Sequence, residues 1–176
     1  MKVAILGTAY PLRGGLASYN ERLAKEFLTQ GIETRIYTFS LQYPSILFPG
    51  KTQYETGKPA IGIPSIRSLD SINPLTWNST GNKILKLNPD LVIFRCWNSF
   101  FSIMMGYIAR KIKYQNSEIK LMTVCDNIIP HESHSFDKWV MTYFLSKMDS
   151  YVVQSSIVED ELLGLIPDAK YVKLPH

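Results

Sequence analysis

The first forty residues constrain the fold more than any other part of the chain. Lys2–Leu6 is a short continuous apolar run, KVAIL, that stops at Gly7. Such a run reads as a strand buried on both faces. From Leu16 to Gln30 the apolar residues Leu16, Leu23, Ala24, Phe27 and Leu28 recur at near-helical spacing, with Asn20 on the same face, and Gly31 supplies the stop. Thr34–Phe39 is β-branched and aromatic, a second strand. A strand, a loop, a helix and a second strand in so short a span favour a crossover helix between parallel strands.

The rest of the chain repeats the unit. Helices are expected over Leu75–Leu87, Ser99–Tyr114, Phe136–Lys147 and from Ser155 or Ser156 to Leu163. Strands are expected over Leu91–Phe94, Ile119–Val124, Tyr151–Val153 and Lys170–Leu174. Residues 40–74 read as an irregular stretch rich in Pro, Gly, Ser and Tyr, with one short strand at Ile61–Ile63. Alternating strands and helices predict an α/β fold, a Rossmann-like, doubly wound parallel sheet with helices on both faces. At 176 residues the chain suits one domain, spanning 1–176.

Composition removes several function classes. The chain is 45% hydrophobic and 19% charged, as in ordinary globular proteins. No apolar run reaches the length of a membrane span, and no secretory leader pattern is present, so a cytoplasmic location is expected. Cys96 and Cys125 form no metal-ligand pattern or disulfide framework. The net charge of +4 is uneven: residues 1–89 hold ten Lys/Arg against five Asp/Glu, and residues 90–176 hold nine against ten. That excess suits phosphates or an anionic membrane, but a dense basic stripe for nucleic acid is missing.

In doubly wound sheets, ligands sit outside the carboxyl ends of the strands. The informative loops are therefore 7–15, 95–98, 125–135 and 154–156. Gly14-Gly15 precedes a helix, where free N–H groups and the dipole favour an anion; a plain tight turn is the other reading. Neither the dinucleotide G-x-G-x-x-G spacing nor the P-loop pattern is present. The loop Gly7-Thr8-Ala9-Tyr10 has no acid, which argues against a phospho-receiver module. In the loop 123–132, Asp126, His131 and Glu132 are polar groups able to orient or deprotonate a hydroxyl, although a lone His is as often structural. Trp97 stacks on a sugar ring or packs under its helix. Ser155 reads as an N-cap, which does not exclude a ligand-facing position.

Together these motifs resemble the N-terminal half of the GT-B glycosyltransferases of the large "group 1" (family 4-like) retaining family. The likeness lies in the strand Lys2–Leu6, then Pro11, Gly14, Gly15, Asn20, Leu23 and Ala24. It continues in Thr123-Val-Cys-Asp-Asn-Ile-Ile-Pro-His-Glu132, which is similar to the family's T-x-H-D-x-x-P stretch, and in Ser150–Ser156 with Val158, Glu159 and Leu162. One position departs from the pattern, since Cys125 stands where relatives often carry His. The resemblance implies a hexosyltransferase-type enzyme that moves a sugar, with retention, from a nucleotide-sugar donor to a saccharide or lipid-linked acceptor in cell-surface polysaccharide synthesis. It implies no cofactor, no metal, and a donor-binding domain beyond this chain. It places Gly14 and Gly15 near the donor diphosphate and the acceptor. Asp126 and His131 become the catalytic candidates, with Trp97, Cys125, Asn127, Glu132 and Ser155 as substrate-binding ones. Peripheral contact with the inner membrane face is expected through Tyr43, Ile46, Leu47, Phe48 and Tyr54, with Lys51, Lys58 and Arg67 as cations. Another GT-B enzyme, such as a nucleotide-sugar epimerase, and a non-catalytic α/β binding module are the competing classes.

Overall fold

The computed structural model describes residues 1–44, 52–55, 62–129 and 135–174. The expected α/β, Rossmann-like class is the fold that forms: seven strands, parallel to their neighbours within each unit, alternating with helices along most of the chain. The chain divides into two compact units, Met1–Asp90 and Leu91–His176.

In the first unit, β1 (Lys2–Leu6), β2 (Glu33–Leu41) and β3 (Ser65–Asp70) run in the order β3-β2-β1, and both ladders are parallel. α1 (Gly15–Thr29) links β1 to β2, and α2 (Pro74–Leu87) follows β3. Val3 to Leu6 are fully buried, as a continuous apolar run predicts. Gly31, at φ 77, ends the α1 segment in the left-handed region that glycine adopts without penalty. α2 starts at Pro74, with the Asn73 side chain accepting from the Leu75 N–H at 3.1 Å.

β3 is the main departure from the sequence reading. Residues 40–74 contain a regular six-residue strand at Ser65–Asp70, not at Ile61–Ile63. Gly62 and Ile63 are in neither helix nor strand, and Ile61 lies outside the described residues. SIRSLD is polar because β3 is the outermost strand of its ladder: only Leu69 is fully buried. A strand with one buried side chain gives almost no apolar alternation to read.

In the second unit, β4 (Leu91–Cys96), β5 (Lys120–Cys125), β6 (Ser150–Val153) and β7 (Tyr171–Lys173) are parallel in that order. A 3-10 turn at Ser99–Phe101 leads into α3 (Ser102–Gln115), which packs against α4 (Ser135–Leu145). α5 (Ser156–Leu165) connects β6 to β7. Val92, Phe94, Leu121, Val153 and the α4 residue Phe144 close this core, with Phe94 and Phe144 edge to face at 5.6 Å.

Candidate functional site

In each unit a polar loop at the carboxyl ends of the strands carries sequence-predicted candidates. In the first unit it is 7–15. Its backbone is fixed by side chains that are nearly all buried. Asn20 donates its amide to the Thr8 carbonyl at 2.9 Å, Thr38 accepts from the Ala9 N–H at 2.9 Å, and Glu21 accepts from the Tyr10 N–H at 2.7 Å. The described residues 52–55 fold back over the loop. Arg13 N–H donates to the Gln53 carbonyl at 3.0 Å, and Glu55 N–H donates to the Pro11 carbonyl at 2.7 Å. The Gln53 side chain closes the clamp by exchanging two hydrogen bonds with the Tyr43 backbone.

Glu21 and Gln53 were not singled out from sequence. Glu21 carries one signal, a carboxylate next to Asn20 on the inward face of α1. Gln53 sits in a stretch with no periodicity and carries none.

The two glycines have different constraints. Gly14 is the N-cap of α1 at φ 116, a conformation that L side chains rarely adopt. Gly15 has an ordinary backbone, and a Cβ added there meets nothing within 4 Å. Both are exposed. The α1 terminus has no side-chain cap and no acid in its first turn, so its leading N–H groups face outward with the positive end of the helix dipole. Beside it, Thr8, Gln42 and Ser71 form a row of buried neutral polar residues just past the ends of β1, β2 and β3. Thr8 Oγ1 lies 3.5 Å from Gln42 Oε1, and the Ser71 hydroxyl is buried with no hydrogen-bond partner among the described residues.

In the second unit the loop after β5 is held by charge. Arg95, on β4, is one of the largest fully buried side chains and makes a two-pronged ion pair with both carboxylate oxygens of Asp126. Parallel pairing of β4 with β5 puts the two residues within reach, and Asp126 N–H donates to the Cys96 carbonyl at 2.8 Å. From α5, Glu161 accepts from the Ile128 and Ile129 N–H groups at 3.3 and 3.2 Å. With both oxygens engaged by the guanidinium, Asp126 ties its loop to β4. Sequence reasoning missed Arg95's part. An arginine inside the otherwise apolar run Leu91–Cys96 was the available signal, since a buried charge requires a partner.

The remaining candidates separate into packed and exposed groups. Cys125 is fully buried and pairs in register with Cys96, also buried; both are free thiols. The hydrogen bond between the Cys96 and Cys125 thiols, with burial, pushes the Cys96 thiol well above its ordinary range. Cys125 therefore lies in the interior, a poor position for touching a substrate. Trp97 is half-buried and packs on Phe101, ring centroids 4.6 Å apart. Asn127 is exposed next to Asp126. Ser155 is exposed and caps α5 by accepting from the Val158 N–H at 3.3 Å. His131 and Glu132 lie outside the described residues, as do Ile46, Leu47, Phe48, Lys51 and Lys58. Of the expected membrane-contact loop, Tyr54 is half-buried: its hydroxyl reaches the Ser40 carbonyl at 3.4 Å and Arg67 lies over its ring at 5.8 Å. No helix among the described residues is long and apolar enough to cross a membrane.

No family model and no curated protein matches the chain in sequence. Solved structures match it in fold. Sucrose-phosphate synthase from Thermosynechococcus elongatus superposes with a TM-score of 0.65 at 13% identity, over 99% of this chain and 48% of that one. An α-glucosyltransferase in complex with UDP and a 13-mer DNA gives 0.60 at 13% identity, over 98% of this chain and 41% of that one. The chain thus spans about half the length of these sugar-transfer enzymes and has the fold of that half.

Proposed function

We propose that this chain is the N-terminal, acceptor-side domain of a GT-B glycosyltransferase, paired in the working enzyme with a donor-binding domain. The reaction is transfer of a sugar, with retention, from a nucleotide-sugar to a saccharide or lipid-linked acceptor, with cell-surface polysaccharide synthesis at the cytoplasmic membrane face as its setting. No cofactor enters it. The observation that carries the reading is the fold match over nearly the whole chain to two enzymes of sugar transfer, one of them bound to UDP.

The local chemistry agrees with that reading. The open N-terminus of α1 is suited to a diphosphate or to the sugar oxygens beside it. Thr8, Gln42 and Ser71 are neutral donors and acceptors of the kind that read hydroxyl groups. Asp126, held by Arg95, fixes the loop that leads to His131 and Glu132, the proposed acceptor-facing pair. Asn127 and Ser155 are exposed beside their loops and stay as binding candidates. Trp97 and Cys125 are assigned to packing. With no covalent nucleophile in view, rate enhancement comes from positioning and from electrostatic stabilisation of the leaving diphosphate.

Two titrations of the 176-residue chain test this. UDP-glucose is expected to bind weaker than about 10 μM, or about −7 kcal/mol, because the proposed donor contacts belong to the other domain. Maltose and cellobiose are expected to perturb the amide resonances of Thr8, Gly14 and Gly15. Tighter UDP-glucose binding overturns the acceptor-side assignment. Silence of those three amides toward every saccharide and toward UDP-glucose overturns the sugar-transfer reading.

A further inference from the structure

We propose that the outer faces of α3 and α4 form a docking surface for an anionic lipid membrane. The inference extends the peripheral-membrane part of the reading above but rests on a different region from the one the sequence suggested.

α3 carries an outward stripe. Ile103 is 42% exposed and Tyr114 91% exposed, and Tyr107, Arg110 and Lys111 lie between them. Tyr107, Arg110, Lys111 and Tyr114 line an open depression of about 330 Å³. Their spacing of three, four and seven residues puts them on one helical face. α3 has no acidic residue along its whole length.

A second stripe on α4 adjoins the first. Phe136 is 61% and Trp139 64% exposed, with ring centroids 6.0 Å apart. One turn further on, Tyr143 lies against α3 at Gly106, where an added Cβ would sit 2.4 Å from its ring. Gly106 is three residues from Ile103 and four from Arg110, so the two stripes meet on the same side of the helix pair. Lys147 covers the Tyr143 ring at 5.4 Å and adds a cation at the seam. The one acid of α4, Asp137, accepts from the Ser99 hydroxyl at 2.6 Å.

Large exposed aromatic side chains interleaved with cations, and almost free of acids, match the interfacial zone of a membrane. Tyr and Trp rings settle at headgroup depth, and Arg and Lys meet lipid phosphates. A 14-residue helix such as α3 spans about 21 Å, enough to lie along the surface across several headgroups. The charge complementarity selects an anionic leaflet over a neutral one.

Vesicle co-sedimentation of the whole chain provides the test, because it reads partition without any transfer reaction. Vesicles of phosphatidylcholine with phosphatidylglycerol are expected to bind the protein at low salt, and phosphatidylcholine alone to bind much less. Arg110→Glu with Lys111→Glu is expected to weaken partition by about ten-fold or more. Trp139→Ala is expected to weaken it further without changing its salt dependence. Lys83→Glu with Lys86→Glu, an equal charge change on α2, is the control and is expected to have a much smaller effect. Lys83, Lys86 and Arg110 are exposed and Lys111 is half-buried, so circular dichroism melts are recorded for each variant and partition is compared between variants that keep the wild-type melt. Failure to bind anionic vesicles at low salt overturns the proposal. Equal loss from the two charge-reversed pairs also overturns it, since that outcome means net charge and not this face. Neither result touches the glycosyltransferase reading, which the saccharide and UDP-glucose titrations decide separately.

Discussion

The loop after β1 and the loop after β5 each lie at the carboxyl end of a strand in their unit, and they are held in place by different physics. The first is fixed by hydrogen bonds from Asn20, Thr38 and Glu21 to its own backbone. That arrangement consumes backbone groups within the loop and leaves the N-terminus of α1 open. In the second, a buried charge, Arg95, is paired with Asp126, and Glu161 adds two backbone hydrogen bonds. A loop tied by backbone hydrogen bonds can lose one tie and keep its shape. Losing one partner of a buried ion pair costs more, because the other charge loses its counter-charge in the interior.

The largest effect should therefore come from Asp126. Asp126→Ala is expected to cost about 3–5 kcal/mol in urea unfolding, because the buried guanidinium loses its counter-charge. Arg95→Met combined with Asp126→Ala should recover most of that loss, because the double variant buries no charge. If the double variant is as unstable as the single one, the pair is not what holds the loop, and the contrast drawn above is wrong.

Glu21 is the matching site in the first unit, and its expected effect is smaller. Glu21→Ala leaves the Tyr10 N–H without its acceptor, at a cost of about 1–3 kcal/mol. Glu21→Gln keeps an acceptor oxygen and should lose less than half as much. If Glu21→Gln costs as much as Glu21→Ala, the negative charge itself is required, and the first loop is held electrostatically like the second.

This difference also explains what could be read from the sequence. The strands and helices were legible where burial is two-sided or periodic, as in Val3–Leu6 and along α3. β3 was not, because an outermost strand with one buried side chain leaves no pattern. The site was legible at positions with unusual local chemistry, such as Gly14-Gly15 before a helix or Ser155 as a cap. It was illegible where the chemistry is a relation between distant residues. Nothing near Arg95 in sequence names Asp126 as its partner, and Glu161 reaches the loop at residues 128 and 129 from a helix more than thirty residues away. Cys125 shows the same limit from the other side: the motif marked its position, and only the register with Cys96 gives the direction of its thiol.

The smallest stability effect, and the sharpest test of the open helix end, lies in the glycine pair. Gly14 at φ 116 needs a residue without a Cβ, so Gly14→Ala should cost about 1–3 kcal/mol. Gly15 has an ordinary backbone and empty space around the would-be Cβ. Gly15→Ala should leave stability within a few tenths of a kcal/mol or raise it by up to about 1 kcal/mol, since Ala is the better helix residue. Among the described residues nothing requires glycine at position 15, so the proposed close approach of a ligand can be tested there without a folding penalty. Gly15→Val should accordingly fold normally and lose the saccharide-induced shifts at Thr8 and Gly14. A Gly15→Val protein that keeps both its stability and those shifts would reduce the Gly-Gly pair to a turn, and would leave the first loop with Thr8, Gln42 and Ser71 as its only candidate ligand groups.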